Sequence, residues 1–315
     1  MANIIHSLLL LLTFIHTLCL AHSPTLREIH RFPNGTWVEN IAVRPNGNII
    51  VTILSTAELW EIDPSIPSGP GSARLVHHFD GAEDADGITE LSSDIYAVIA
   101  SNSVWTINLR NHEPSKPILI AKLPAGYLNG IVALDEGNAV AITDSQLGLV
   151  WRLDLRTGSY SVIHQDESMA ANDDMGLLLG VNGLKIVNDY MYYSNSPKRI
   201  FCRVRIDTHT GRALGPYEVI GNDTRADDFA IGPHEVGYLA GIVDDVVIRV
   251  FPNGYHEVIA GSKGSTDLMT ATSAAFGRTQ KDRNVLYITT GGETKLPVHS
   301  TSTRGGKVMA LSVEF

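Results

Sequence analysis

Six oxygen-bearing residues recur along the chain in the same local setting, each at or just before the start of a short apolar segment. Spaced by 43 to 53 residues, they are Glu39, Asp86, Asn129, Asn182, Asp227 and Thr272. Carboxylates can act as general acids or bases, amides and hydroxyls can donate hydrogen bonds, and all these oxygens suit a hard divalent cation. If the fold brings these six residues (the column) together, they form a polar catalytic site for a substrate or a metal ion.

The segments that carry the column repeat along the chain, and the clearest copy runs from 181 to 195. It reads as an Asx-Gly pair, a short apolar strand, a tight turn and a second strand rich in aromatic residues. Four short strands in each repeat of about 40–50 residues are typical of a β-propeller. The six copies predict an all-β, six-bladed β-propeller in which the column rings one mouth of the central channel.

The strand 26–32 belongs to no repeat, whereas the last repeat contains only three clear strands. We predict that this N-terminal strand completes the sixth blade and closes the ring. A closed ring leaves only short, protected edges. Because the repeats continue without a linker, we predict a single propeller domain over 22–315.

The first segment is apolar from 4 to 20 and ends at a small-x-small site, Cys19-Leu20-Ala21. This pattern predicts a signal peptide over 1–21, and hence a protein of the secretory pathway or a secreted one. A retained membrane anchor is the alternative. Polar residues interrupt the run and it is short for a span, so we expect no stable membrane span after cleavage. Sequons at Asn34 and Asn222 predict glycosylation there.

Composition and motifs exclude several classes of function. The net charge is −10 and there is no Lys/Arg run, which argues against a nucleic-acid partner. There is no Gly-x-Ser-x-Gly nucleophile elbow, no Gly-x-Gly-x-x-Gly phosphate loop and no His-Glu-x-x-His pair. The mature chain would hold one cysteine, Cys202, which excludes an internal disulfide and a thiolate metal cluster.

Further polar residues are expected near the column. The ends of the second strands should return to the same face, and two residues directly follow column members. The candidate substrate-binding residues from these positions are Asn40, Asp144, Asn195 and Asp228. The four tryptophans recur at blade positions and are expected to pack between blades.

Two loops are candidates for a cover over the channel mouth. The insertion 165–178 is acidic and contains methionines, and the loop 261–269 precedes the sixth blade. Loops at the mouth of a ring can act as lids. A plain solvated connection is the alternative for 165–178. A structural role is likewise the alternative for each column residue, since Asx-Gly pairs form turns and can line a water-filled tunnel.

The column resembles the ligand column of the regucalcin/gluconolactonase superfamily of six-bladed propellers, in which Glu, two Asn and Asp bind one divalent cation. Carried over by position, the resemblance implies Glu39, Asn129, Asn182 and Asp227 as metal ligands. The phrase Asn182-Gly183-Leu184 matches well. The fifth blade departs, because Ala226-Asp227-Asp228 stands where the family has Pro-Asp-Gly.

A closer resemblance is to a fungal branch of these propellers. It rests on the phrases 34–44, 227–230 and 272–279. Members of this branch are similar to hetero-Diels-Alderases, which join a tropolone quinone methide to humulene in tropolonic sesquiterpene biosynthesis. The resemblance therefore implies a secondary-metabolite enzyme that acts on small molecules without a cofactor.

Three hypotheses of function follow. In the first, the column and an apolar cover hold a reactive tropolone and a terpene in a near-attack pose and exclude water. In the second, Ca²⁺ or another divalent cation in the column polarises a lactone carbonyl, and a carboxylate activates water. In the third, the propeller binds a partner without catalysis. The closer phrase match favours the first hypothesis.

Overall fold

The computed structural model describes residues 25–69, 71–111, 115–293 and 304–315. These residues form 24 strands arranged in six four-stranded antiparallel sheets. The six-bladed β-propeller predicted from the repeats is confirmed. The signal peptide predicted over 1–21 lies outside the described residues.

The strands are numbered in chain order, beginning with β1 (Leu26–Arg31). Blade one holds β2 (Val38–Val43), β3 (Ile49–Ile53), β4 (Glu58–Ile62) and β5 (Ala73–His78). Blade two holds β6 (Ala85–Ser92), β7 (Ile95–Ala100), β8 (Ser103–Asn108) and β9 (Ile118–Lys122). Blade three holds β10 (Leu128–Leu134), β11 (Ala139–Asp144), β12 (Leu149–Asp154) and β13 (Tyr160–Gln165).

Blade four holds β14 (Val181–Val187), β15 (Tyr190–Asn195), β16 (Ile200–Ile206) and β17 (Ala213–Asn222). Blade five holds β18 (Phe229–Ile231), β19 (Gly237–Gly241), β20 (Val246–Val250) and β21 (His256–Gly261). Blade six holds β22 (Ala271–Phe276), β23 (Val285–Thr290) and β24 (Lys307–Ser312). Four short 3₁₀ turns connect strands: Leu54–Thr56, Asp135–Gly137, Glu167–Met169 and Pro233–Glu235.

The sixth blade is completed from the N-terminal side of the chain. β1 pairs antiparallel with β24, with Leu26 opposite Leu311 and Arg31 opposite Lys307. The strand order of this sheet is β1, β24, β23, β22, so β1 is its outermost strand. The predicted closure of the ring is therefore confirmed.

The core is divided into layers between neighbouring blades. Six clusters of buried apolar side chains each combine residues from two adjacent sheets. In one of them Ile50 of blade one packs with Tyr96 of blade two, and both are fully buried. Because fully burying a large apolar side chain contributes about 1.5–3 kcal/mol, these layers hold the blades together. In the described residues, no helix is both long and apolar enough to span a membrane.

The first strand of each blade lines the channel, and its start is irregular. In five blades the pairing with the second strand shifts register beside the column residue. Such a bulge redirects a side chain without ending the sheet. The glycines that follow Asp86, Asn129 and Asn182 are needed for close approach. A Cβ on Gly130 would lie 2.6 Å from the backbone oxygen of Asn182 in the next blade.

Hydroxyls on the second strands join each blade to the next. Each donates to the backbone oxygen of a column residue in the following blade: Thr52 to Asp86 (2.6 Å), Thr143 to Asn182 (2.6 Å) and Ser194 to Asp227 (2.5 Å). A hydroxyl that bridges two sheets satisfies a buried carbonyl that no ladder partner reaches. These bonds fix the height of the column in the channel.

Candidate active site

A cavity of about 330 Å³ lies over the mouth of the channel on the side of the column. Four column residues form its floor: Glu39, Asn129, Asn182 and Asp227. These are the four residues that the sequence resemblance implied as metal ligands. The volume is at the lower end of the range for small-molecule sites.

The insertion between blades three and four crosses this mouth. Met175, Leu177, Leu178 and Leu179 line the cavity from above. Met175 packs against a small buried apolar cluster of Trp37, Leu54 and Ile242. The cavity therefore has an apolar roof and a polar floor. The loop 261–269 takes no part in it, and its Leu268 is buried in the core between blades five and six.

The base of the insertion is anchored on both sides. Met169 is fully buried in the core between blades three and four. Asn195 donates through Nδ2 to the backbone oxygens of Ser168 (2.9 Å) and Ala170 (3.2 Å). Asn195, predicted to bind substrate, thus holds the base of the insertion 165–178 (hereafter the lid) and does not line the cavity.

Glu39 has the environment of a neutral acid at mildly acidic pH. Its Oε2 accepts a hydrogen bond from the indole nitrogen of Trp37. Burial raises the pKa of Glu39 to about 7, the Trp37 bond opposes the shift, and Asp228 and Asp84 add to it. A carboxyl with this pKa can donate a hydrogen bond below neutral pH and accept one above it.

Asp227 and Asn182 form the other half of the floor. Asn182 donates through Nδ2 to Asp227 Oδ1 at 2.5 Å. Burial, with a further contribution from Glu39, raises the pKa of Asp227 well above its ordinary value. The amide oxygen of Asn182, Oδ1, and the other carboxyl oxygen of Asp227, Oδ2, are buried and have no hydrogen-bond partner among the described residues. Buried polar atoms without a protein partner are uncommon, and on the floor of a cavity they indicate atoms that a ligand, ion or water can bind.

Asp86 lies beneath the wall of the cavity. It is fully buried, and its Oδ2 is 2.8 Å from the hydroxyl oxygen of Tyr127, which does line the cavity. Burial and the charges of Glu39 and Asp84 raise the pKa of Asp86 well above its ordinary value. Thr272, the last column residue, donates to the backbone oxygen of Val38 at 2.8 Å and does not line the cavity.

Asp144, another predicted substrate-binding residue, organises the loop before blade three. Its carboxylate accepts bonds from the backbone nitrogens of Gly126 (3.0 Å), Tyr127 (3.1 Å) and Leu147 (3.0 Å). It also accepts a bond from the indole nitrogen of Trp151 at 3.2 Å. Asp144 therefore positions Tyr127 and does not line the cavity.

Asn40 and Asp228 lie one layer below the floor, inside the channel. The Asp228 carboxylate accepts bonds from Lys185 Nζ (2.7 and 2.6 Å), Asn40 Nδ2 (3.1 Å) and Ser273 Oγ (3.2 Å). It also accepts a hydrogen bond from the backbone nitrogen of Phe229 at 2.8 Å. These two predicted substrate-binding residues fill the channel under the cavity instead of facing it.

The sequence reasoning missed several residues of the cavity wall. Trp37, Asp84 and Tyr127 each precede a column residue by two positions. All three lie directly before the strands that carry the column, and this common offset was the signal present in the sequence. Trp37 was expected to pack between blades, but it lines the cavity and bonds to Glu39. Gln146, Ser196 and Ile242 come from neighbouring turns and have no such signal.

The floor fits a hard divalent cation in its chemistry, since such ions prefer carboxylate and amide oxygens. In the part of the chain that the structure describes, no group of three His, Cys, Asp or Glu side chains is placed to hold a metal ion. The floor offers two carboxylates and two amides. The unpartnered oxygens of Asn182 and Asp227 are suited to such an ion.

Comparison with known proteins gives two kinds of match, although no protein-family model matches the chain. The chain is 30% identical over 304 residues to a protein from Phoma sp. named as a hetero-Diels-Alderase, covering 84% of this chain and 86% of that protein. It is also 30% identical over 316 residues to one so named from Sarocladium schorii, covering 84% of this chain and 77% of that protein.

Solved structures agree on the fold. A calcium-binding regucalcin from Agrobacterium tumefaciens superposes with a TM-score of 0.66 at 15% identity, covering 93% of this chain and 96% of that one. A gluconolactonase from Xanthomonas campestris gives 0.64 at 14% identity, covering 92% and 90%. At these identities the likeness shows the propeller fold alone.

Proposed function

This chain belongs to the family of proteins named hetero-Diels-Alderases, and we propose that it catalyses a hetero-Diels–Alder cycloaddition in secondary metabolism. The heterodiene is a quinone methide of tropolone type, and the alkene partner is a humulene-type sesquiterpene. The reaction needs no cofactor. The site is the cavity between the lid and the column.

The observation that carries this proposal is the division of the cavity into two surfaces. The roof, with Met175 and Leu177, offers only apolar contacts, as a hydrocarbon partner requires. The floor offers buried carboxyls whose pKa is raised by burial. An oxygen-bearing reactant and a hydrocarbon would therefore bind on opposite sides and face each other.

A cycloaddition requires little acid–base chemistry from the protein. One C–C and one C–O bond form together, no group leaves, and no proton is transferred overall. Holding both reactants in a near-attack pose can supply up to roughly 7–11 kcal/mol. Protonated Glu39 and Asp227 donate hydrogen bonds to the heterodiene oxygen, where negative charge develops in the transition state. The lid keeps water from adding to the reactive intermediate.

The test is cycloadduct formation by the purified protein from the two reactants, compared with the uncatalysed rate and stereochemical ratio. Glu39→Gln keeps a hydrogen-bond donor and is expected to retain much of the activity. Glu39→Ala removes the donor and should reduce kcat at least tenfold. The exposed Glu314→Gln serves as the control. A protein that neither accelerates the reaction nor changes the ratio of stereoisomers would exclude this function.

The unpartnered oxygens of the floor favour a second candidate, a lactone hydrolase that depends on a divalent cation. Glu39, Asn129, Asn182 and Asp227 would hold the cation, which when bound polarises a lactone carbonyl. Asp227 lies on the floor, where its carboxylate can activate water, whereas Asp228 is bound to Lys185 below it. The measurement is metal content before and after chelation. The lactone hydrolase would replace the first candidate if the protein contained stoichiometric calcium, if chelation removed the calcium together with lactone hydrolysis, and if Asn182→Ala contained no calcium.

We also propose that the protein passes through the secretory pathway. Asn34 and Asn222 are both exposed, as carriers of N-linked glycans must be. Treatment of the native protein with an N-glycosidase should increase its electrophoretic mobility in two steps. Unchanged mobility of protein from the native host would argue against this route.

A further inference from the structure

Gln146 is a cavity residue whose hydrogen-bonding groups are unused. It lines the cavity, yet its side-chain amide forms no hydrogen bond with any residue that the structure describes. Two neighbours in the wall formed by blades two and three are already engaged. The Tyr127 hydroxyl donates to Asp86 at 2.8 Å, and Asp84 accepts from the backbone nitrogen of Ser101 at 2.9 Å. The amide of Gln146 is therefore the donor of this wall that remains available to a ligand.

The turn that carries Gln146 is held in place by hydrogen bonds of its neighbours. The turn joins β11 to β12, and Oδ1 of Asp144 accepts from the backbone nitrogen of Leu147 at 3.0 Å. The hydroxyl of Ser145 donates to the backbone oxygen of Val181 in blade four at 2.6 Å. A ligand thus meets an amide whose backbone is already ordered, so binding does not have to order the turn.

The position of Gln146 is also separate from the floor. Asp144 pairs with Leu128, the residue before Asn129, and the chain continues past this pair towards the mouth of the channel. Gln146 therefore lies above Asn129, at the rim. Its side chain packs over Gly126, where a Cβ would lie 2.7 Å from Cβ and 3.2 Å from Oε1 of Gln146. A ligand that contacts both the floor and this amide needs two separate polar groups.

We propose that Gln146 is a specificity-determining residue, and that its amide forms a hydrogen bond with a second oxygen substituent of a ligand whose first oxygen is bound at the floor. The ligand class is a neutral conjugated ketone that carries a hydroxyl group away from its carbonyl. This inference rests on the proposed function only in taking the cavity as the binding site of an oxygen-bearing reactant. It names the feature of that reactant which fixes its orientation.

The chemistry of the wall favours a neutral hydroxyl at this point. A glutamine amide has one acceptor oxygen and two donor hydrogens, so it can bond to a hydroxyl in either direction. Glu83 and Asp84 also line the cavity. Carboxylates accept hydrogen bonds without donating them, and they repel an anionic ligand in a partly buried site. A hydroxyl group carries no charge and can use both the amide and a carboxylate.

Four small ketones separate this hydrogen bond from packing. Acetophenone and its ortho, meta and para hydroxy isomers are neutral at mildly acidic pH and differ only in the second oxygen. Binding is measured by ligand-observed NMR titration of the purified full-length protein. The wild type should bind the meta or the para isomer about five- to tenfold more tightly than acetophenone, the range for one neutral hydrogen bond. The ortho isomer bonds to its own carbonyl and should gain nothing.

The decisive variant is Gln146→Leu, which keeps an apolar side chain of similar length and removes the amide. The preference for the hydroxy isomer should disappear in this variant, while acetophenone binding is unchanged. Gly126→Ala keeps the amide but displaces it and should reduce the same preference. Gln280→Leu makes the same chemical change at an exposed position and should alter none of the four affinities. The thermal unfolding midpoint confirms that each variant folds.

Three results would each overturn the inference. They are a wild type that binds no hydroxy isomer better than acetophenone, an unchanged preference in Gln146→Leu or in Gly126→Ala, and an equal loss of all four ligands in Gln146→Leu. None of these results depends on detecting the cycloaddition. A protein without cycloaddition activity that still shows the Gln146-dependent preference would lose the proposed function and keep this binding role.

Discussion

Asp227 and Asp228 follow each other in the chain, yet their surroundings are opposite. Asp227 lies on the cavity floor and has one hydrogen-bonded oxygen and one without a partner among the described residues. Asp228 lies one layer lower, is 2% exposed, and binds Lys185 and three other donors. Glu39 and Asn40 are divided between the two layers in the same way as Asp227 and Asp228, but only the lower layer is complete by itself.

The difference between Asp227 and Asp228 distinguishes residues that stabilise the fold from residues that are available to bind a ligand. A fully satisfied buried carboxylate stabilises the fold it sits in, whereas an unsatisfied one is retained at a cost and marks a place where a ligand completes the bonding. The lower layer closes the channel and fixes the first strands. The upper layer is left open for chemistry.

The largest expected effect comes from breaking the lower layer. Asp228→Leu leaves Lys185 without its counter-ion and Asn40 and Ser273 without their acceptor. Loss of one partner of a buried pair costs about 3–5 kcal/mol, so urea unfolding should show a loss of this size. Asp227→Asn should change the free energy of unfolding by less than about 1 kcal/mol, since the amide oxygen still accepts from Asn182. Equal destabilisation by both substitutions would erase the distinction between the layers.

The second effect concerns pH and the upper layer. The pKa of Glu39 is about 7 in the fold against an ordinary value of about 4.5, so between these values the folded state holds a proton that the unfolded state has lost. Its contribution is therefore present at low pH and declines as pH rises through 7, by about 3 kcal/mol in all. Glu39→Gln lacks this dependence. Unfolding curves in chelator from pH 5 to 8 should show the wild type losing stability relative to the variant.

A matched pair of hydroxyl deletions sharpens the comparison. Ser273→Ala removes one bond to Asp228, and Ser196→Ala removes bonds to the backbone of Ala226 and to Asn182. Each should cost about 1 kcal/mol of stability. Only Ser196→Ala, on the cavity side, should also weaken ligand binding, as measured by titration. If only Ser273→Ala weakened ligand binding, the ligand would be bound by the lower layer, and the assignment of function to the upper layer would be wrong.

The smallest effect is expected at the lid. Asp174 is bound by Arg225 at 2.5 Å, and this ion pair ties the lid to the turn before blade five. Asp174→Ala should change the free energy of unfolding by less than about 1 kcal/mol, because the Asp174 side chain is about half exposed. Ligand dissociation should become faster, which stopped-flow measurement can detect. An unchanged dissociation rate would mean that the ion pair does not control the lid.

The fold could be predicted from the sequence because each blade repeats the same short pattern. The column could also be predicted, and four of its six members form the cavity floor. Asp86 and Thr272 were placed in the same ring by their spacing, but their side chains turn to Tyr127 and Val38. Spacing gives the height of a residue in the channel and does not give the direction of its side chain.

The remaining residues depend on contacts between distant segments. Asp144 and Asn195 lie at the ends of second strands, as predicted. Each uses its side-chain hydrogen bonds to hold a loop that precedes its own repeat, and so does not face the cavity. The lid lies in the one long interval between repeats, so no periodic pattern describes its path. Glycosylation at Asn34 and Asn222 and the signal peptide stay predictions from the sequence.

The pairing of β1 with β24 has a consequence for how the protein is made. Among the described strands β1 leaves the ribosome first and its partner last. Contacts between residues far apart in sequence form slowly, because a long loop must close before they contribute. The cavity floor draws on four blades, and its geometry depends on the closed ring. Nascent chains would therefore pass through an open, partly paired stage, and ligand binding would be acquired only once the ring has closed.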